Sequence, residues 1–248
     1  VLGNAVFGPT PVVEAMTLSR EVLIHVNGHP GHEADASLLV AQLESMRGNV
    51  EAARAKIAHA RSLFRELGQT HSLAEMTDAA SVVEWYAGDL LAAEREKRSG
   101  YEAFRSMAAD AFQATWAAWL ADLLVLLDRD DEALHLALES EELAAKDDVT
   151  AQVPWRMAKA KVLARQGDGA EAGQLAQEAV HIAERTDWLN LQGDAHMALA
   201  EVLRLTGRQG DAAEAARHAV DRFEQKGNVV SAARARGLLE EVAAPTQP

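Results

Sequence analysis

The stretch Ala41-Gln-Leu-Glu-Ser-Met-Arg-Gly48-Asn-Val-Glu-Ala-Ala53-Arg-Ala-Lys-Ile-Ala-His-Ala60 decides the fold, because its small residues recur along the 248-residue chain in fixed register. Its Gly48 is followed, at intervals of 39 or 40 residues, by Gly88, Asp128, Gly167 and Gly207. Seven positions before these five stand Ala41, Ser81, Ala121, Ala160 and Ala200. Five positions after come Ala53, Ala93, Ala133, Ala172 and Ala212, and twelve after come Ala60, Gly100, Ser140, Ala179 and Ala219. In an alanine-rich chain one such column would carry little weight. Three columns in step over five copies specify a repeat, and a period of this size means a solenoid, in which each unit buries its apolar face against its neighbours.

Each unit reads as two helices and a tight turn. In the first copy helix A spans about Ala34 to Arg47 and helix B about Glu51 to Leu67. The turn residue sits where a helix ends in the left-handed conformation, which glycine enters without steric cost and aspartate tolerates. The small columns let antiparallel helices approach closely, since side-chain size sets the interaxial distance. Between them run larger core columns: Leu43, Val83, Leu123, Val162 and Val202 on helix A, and Phe64, Phe104, Ala144, Ala183 and Phe223 on helix B.

The pattern extends past both ends of the five copies. Gly8 lies forty residues before Gly48 and precedes a helix-B-like segment whose partner helix is missing, with Thr10 as N-cap and Pro11 at the first helical position. Val229 to Val242 forms a last amphipathic helix before Ala-Pro-Thr-Gln-Pro. The expected organisation is one continuous all-α, right-handed solenoid of about twelve helices without strands. Residues 1–33 form an incomplete leading repeat and connector, 34–228 five repeats, and 229–248 a capping helix and tail. A start at Val1, inside a repeat, predicts a piece of something longer.

Composition narrows the function. A formal net charge of −14 argues against nucleic acid and against an anionic membrane surface, both of which need lysine and arginine. With no cysteine, disulfide, thiolate and cysteine–zinc chemistry drop out. The longest apolar stretch, Ala114 to Leu127, has 14 residues and contains Asp122, which suits a buried helix and not a membrane span. No signal peptide is visible, so the expected location is the cytoplasm.

Two clusters invite a chemical reading and fail it. Asp128-Arg-Asp-Asp-Glu132 with Glu139 has the outline of a calcium loop, but Ala133 stands where that loop requires glycine, and the repeat register already assigns the segment to a turn. His25, His29 and His32 are close in sequence, but no carboxylate completes a zinc set, and a Gly-, Pro- and His-rich segment reads as a connector. No phosphate-binding loop or nucleophile elbow is present. The expectation is a non-enzyme with no cofactor and no metal.

The A-turn-B unit resembles the tetratricopeptide repeat, whose usual period of about 34 residues is here lengthened to 40. Several segments resemble a narrower group: Gly8-Pro-Thr-Pro-Val-Val-Glu-Ala15, Lys146 to Gln152 with Trp155-Arg156, Glu184 to Asp187 with Gly193-Asp194, Ala200 to Leu205, and Lys226 to Ala232. Together they are similar to the C-terminal repeats of actinobacterial signalling proteins that join an adenylate/guanylate cyclase-homology domain, an AAA-type ATPase module and tetratricopeptide repeats.

That resemblance implies a protein–protein interaction or regulatory module whose A helices line a concave groove. Groove-facing positions then fall in three columns: Gln42, Val82, Asp122, Lys161 and Glu201; Leu38, Asp78, Ala118, Met157 and Met197; and a third containing Trp85 and Arg204. The candidate binding residues are Gln42, Asp78, Trp85, Asp122, Met157, Lys161, Met197, Glu201 and Arg204. The lysine-and-asparagine set that clamps a C-terminal carboxylate in the Hsp90-tail manner is absent from these columns. The implied occupant is a protein or peptide, or another domain of the same polypeptide, with no nucleic acid or membrane partner. The alternative is a ligand- or peptide-sensing domain of an ATPase-linked transcription regulator. Trp85, Trp116, Trp119 and Trp155 read first as core packing between A helices.

Overall fold

All five repeat-marking residues adopt positive φ, from 56° at Asp128 to 92° at Gly167, each at the end of a first helix of a pair. The computed structural model describes residues 2–26 and 28–244, the side chains of residues 2–4 excepted. The tail at 245–248 and Asn27 of the histidine-rich connector lie outside the described residues. A second set of left-handed residues, Gly28, Gly68, Ala108 and Gly227, falls halfway between the first, where second helices end. The reversal recurs about every 20 residues except near Ala144 and Glu184, where the second helices of the third and fourth copies end without it, and Ala108 and Asp128 show that the turn can be imposed on a residue with a Cβ.

Thirteen helices follow one another among the described residues: α1 (Leu2–Phe7), α2 (Val12–Val26), α3 (Pro30–Met46), α4 (Val50–Glu66), α5 (Thr70–Ala87), α6 (Leu90–Ser106) and α7 (Asp110–Leu126). The rest are α8 (Asp130–Leu143), α9 (Val149–Gln166), α10 (Gly169–Ala183), α11 (Leu189–Leu205), α12 (Gln209–Lys226) and α13 (Val229–Ala243). The pairs α3/α4, α5/α6, α7/α8, α9/α10 and α11/α12 are the five copies. Three local expectations need correcting. The leading segment has a partner after all, the short α1. α2 begins at Val12 with the Pro11 carbonyl accepting from Ala15, one residue later than expected. The connector after Gly28 is helix from Pro30, because proline at the first helical position loses no hydrogen bond.

The small columns lie where helices cross. The alanines of all three columns are inaccessible to solvent, Ser140 with them, and Ser81 and Gly100 are buried. Ser81 Oγ donates to the Ala93 carbonyl across the α5/α6 crossing, 2.9 Å away. A Cβ on Gly100 would stand 2.1 Å from Thr77 Oγ1 and 2.3 Å from Trp116 Nε1, which are themselves hydrogen-bonded at 3.0 Å. Glycine there is a packing requirement. In the helix-B column, Phe64, Phe104 and Phe223 are fully buried, while Ala144 is half-buried because α8 stops one residue before it. On the outer surface, pairs such as Arg61–Glu96 and Arg98–Glu132 bridge successive copies. Half-buried surface pairs of this kind are worth about 1 kcal/mol each, so register rests on the core.

The solenoid bends until its ends meet. Lys226, at the end of α12 and 0% exposed, donates from Nζ to the carbonyls of Ala5, Gly8 and Thr10, each at 2.8 Å. Asn228 Nδ2 donates to Tyr86 Oη at 2.8 Å and to Asn190 Oδ1 at 3.0 Å. The Arg234 guanidinium stacks 4.0 Å above the Trp85 ring and donates to the Trp85 carbonyl. Phe7 packs on Trp188 with ring centroids 5.6 Å apart. α1 thus touches α11, and α3 touches α13, so the helices complete a full circuit.

Candidate binding cavity

Closing the circuit turns the concave face into a central cavity of about 430 Å³. Its wall comes almost entirely from first helices, α3, α5, α7, α9, α11 and α13, because their side chains point inward while the second helices form the outer layer. Eight of the nine candidate residues line this one space: Gln42, Asp78, Trp85, Asp122, Met157, Lys161, Met197 and Glu201. Arg204 does not line it; its guanidinium faces Glu241 of α13 at 3.4 Å. Val82 lines the cavity as well, whereas Leu38 and Ala118 pack between helices.

The tryptophans divide between the two roles. Trp155 is core, 3% exposed, with the Arg156 guanidinium 4.0 Å above its ring. Trp85, Trp116 and Trp119 all reach the cavity, so core packing alone does not describe them. Trp188, Asp194 and Arg234, which the column register did not select, are wall residues too. Trp188 is the N-cap of α11 and belongs to no column. Asp194 lies on α11 one turn before Met197, at the spacing that puts residues on one helix face, and that signal was available.

The charges on the wall are largely paired. Lys97 pairs with Asp78 and sits 5.5 Å from the centre of the Trp116 ring. Lys161 pairs with Asp122 at 2.5 Å. Burial disfavours the Lys161 ammonium, but Asp122, with Glu201 and Asp194 nearby, more than compensates and holds its pKa above the usual lysine range. Arg234 is pushed down by burial, against the opposing pull of Tyr86 and Asp194. Asp194 and Glu201 make no hydrogen bond or ion pair among the described residues. Burial, reinforced by Asp122, pushes the Asp194 carboxyl up to about 7 even with Lys161 and Arg234 in reach.

The two clusters set aside on sequence are otherwise occupied. Asp130 pairs with Arg165, Glu132 with Arg98 and Arg129, and Glu139 accepts from Tyr101 Oη. His25 contacts the Glu21 carbonyl within α2, and no group of three metal-binding side chains comes together among the described residues. No described helix is long and apolar enough to cross a membrane.

No family model matches the sequence, and none of the curated proteins compared with it does. Solved structures do. The chain superposes with a TM-score of 0.60 and 19% identity on a Signal Transduction ATPase with Numerous Domains from Pyrococcus horikoshii that carries a tetratricopeptide repeat sensor. The match covers 96% of this chain and 36% of that one, so the chain spans about a third of that protein's length. A kinesin-light-chain-like protein of Podospora anserina with TPR-like repeats gives 0.56 at 14% identity over 78% of this chain and 95% of its own. PilF of Pseudomonas aeruginosa gives 0.51 at 16% identity over 86% and 93%. The likeness is one of fold. Its fold is an α-solenoid like those of tetratricopeptide-repeat structures.

Proposed function

We propose that the chain is a non-catalytic sensing and interaction module of a larger signalling protein of the cyclase/ATPase kind, in which the state of the central cavity is read by the neighbouring parts of the polypeptide. The sequence left two forms of this role open: a groove for a protein partner, and a site for a small ligand or peptide of the kind an ATPase-linked regulator would sense. One observation favours the second. The concave face, which would receive a partner helix if open, is bridged by the contacts of Lys226 with the α1–α2 segment and of Asn228 and Arg234 with α5. What remains has the volume of a small-molecule site, for which roughly 300–1,000 Å³ is usual. The Pyrococcus repeats are described as a sensor, and the same arrangement carried over here would couple occupancy to curvature, since solenoids bend by small rotations between neighbouring units.

Hydrogen exchange of the purified chain, with and without a small-molecule extract of its own organism, tests this reading. A retained ligand should slow exchange in α2 and α13, the two ends of the closing contact. If no fraction below peptide size changes exchange at those helices, while a protein partner binds the closed chain at full affinity and loses nothing in Trp85→Ala with Asp122→Lys, the cavity is not the sensing site.

A further inference from the structure

Resting on the reading of the cavity as a ligand site, we infer that its ligand is a small organic cation, an amine with an aromatic or hydrocarbon body, whose ammonium group is received by Asp194 and whose body lies on the indole wall. Four acids, Asp78, Asp122, Asp194 and Glu201, face three bases, Lys97, Lys161 and Arg234, so with all seven ionised the wall carries one negative charge in excess. The excess is localised. Asp78 and Asp122 have lysines, and Arg234 is engaged by the ring and carbonyl of Trp85, which leaves Asp194 and Glu201 on α11 without partners. Asp194 is half-buried and lines the cavity. An unpaired carboxylate in such a place costs free energy unless a cation arrives.

The rest of the wall suits that cation. Tryptophan faces attract positive charge, and two of those in this cavity already do so, Trp116 with Lys97 and Trp85 with Arg234. Trp119 and Trp188 stand on the same cavity with no cation over them among the described residues. An anion would meet Asp194 and Glu201 with both lysines already committed. A neutral ligand would leave the excess charge where it is.

Binding should also carry a proton signature. The groups facing Asp194 are Asp122 from α7, Lys161 from α9, Tyr86 from α5 and Arg234 from α13, with Glu201 two turns along its own helix. Asp194, raised to about 7, changes charge near neutrality. An ammonium ion needs its carboxylate form, so affinity should rise as pH increases from 6 to 8 and the complex should release a proton on forming at pH 6.

Calorimetry with the intact chain tests the inference, using phenethylamine, tryptamine and 1-aminohexane, each beside its alcohol isostere (phenethyl alcohol, tryptophol, 1-hexanol). At least one amine should bind about tenfold or more tightly than its alcohol, the usual advantage of a charged hydrogen bond. Asp194→Asn, which keeps shape and removes charge, should abolish both that advantage and the pH dependence. Because this variant relieves a half-buried charge, it should fold, which circular dichroism checks. Alcohols binding as well as amines, or Asp194→Asn binding amines unchanged, would overturn the cationic assignment while leaving a cavity ligand in place. If no amine and no alcohol binds, the cation inference fails; the broader sensing reading then stands or falls on the exchange experiment with extract.

Discussion

Replacing Lys226 by methionine keeps the hydrocarbon stem and deletes the group that joins the two ends of the solenoid. The ammonium donates three hydrogen bonds of 2.8 Å to the Ala5, Gly8 and Thr10 carbonyls. Hydrogen bonds to a charged group contribute about 1.5–3 kcal/mol each, or about 5–9 kcal/mol for the three. Against this stands the cost of burying the ammonium, which pushes its pKa from 10.5 down to about 8 despite Asp187 nearby, and which amounts to about 3 kcal/mol. The difference leaves roughly 2–6 kcal/mol holding α1 and α2 on α12. In a solenoid each unit contacts mainly its neighbours, so the loss should appear as local opening at this seam and not as collapse of the chain. At about 1.4 kcal/mol per decade, a 3 kcal/mol loss accelerates amide exchange in α2 roughly a hundredfold where exchange goes through seam opening, with α7 to α10 unaffected. Exchange in α2 within about threefold of the wild type would refute the reasoning, and would mean that packing of the first two helices on α3 holds the seam unaided.

Asp194→Asn should raise stability at pH 8 by about 2–4 kcal/mol and have little effect near pH 4, as followed by urea denaturation. The sign follows from the raised carboxyl: the folded chain holds a proton up to about pH 7 that the unfolded chain releases near pH 4, so stability from this group is lost as pH rises through that window. Gly100→Ala should cost about 1–3 kcal/mol, overriding the roughly 1 kcal/mol that helix propensity would return, because the new methyl meets Thr77 and Trp116. Gly173→Ala, in the middle of α10 with nothing within 4 Å of the added carbon, should instead stabilise by about 0.5–1 kcal/mol. A shared sign for the two alanine variants in one denaturation series would contradict the packing account of Gly100.

The repeat was legible from spacing, and most of its inward-facing positions from the tetratricopeptide resemblance laid over that spacing. The residue that ends a helix, the small residues at a crossing and the column one step along from them are all local or nearest-neighbour requirements. They recur wherever the unit recurs, and Gln42, Asp122, Lys161 and Glu201 fell on the cavity for that reason. Errors gathered where the repeat is interrupted. Pro30 starts a helix inside what read as a connector, α1 completes a unit too short to show a period, and Arg204 follows its column onto the last helix pair, where Glu241 of α13 holds it.

Sequence alone determined the unit: two helices, a left-handed turn and close-packed small residues, stacked five times. Only the tertiary structure decided that the stack returns to its beginning. Curvature is the sum of small rotations at successive interfaces, each set by side-chain volumes that no single column reports. Contacts that record it join residues far apart in the chain, those of Lys226 with Ala5, Gly8 and Thr10 more than two hundred positions apart. Nothing in the period of 40 marks Lys226 as different from any other lysine at a helix end. Its role, and the unpaired state of Asp194 across the cavity, exist only once the first and last helices occupy the same place.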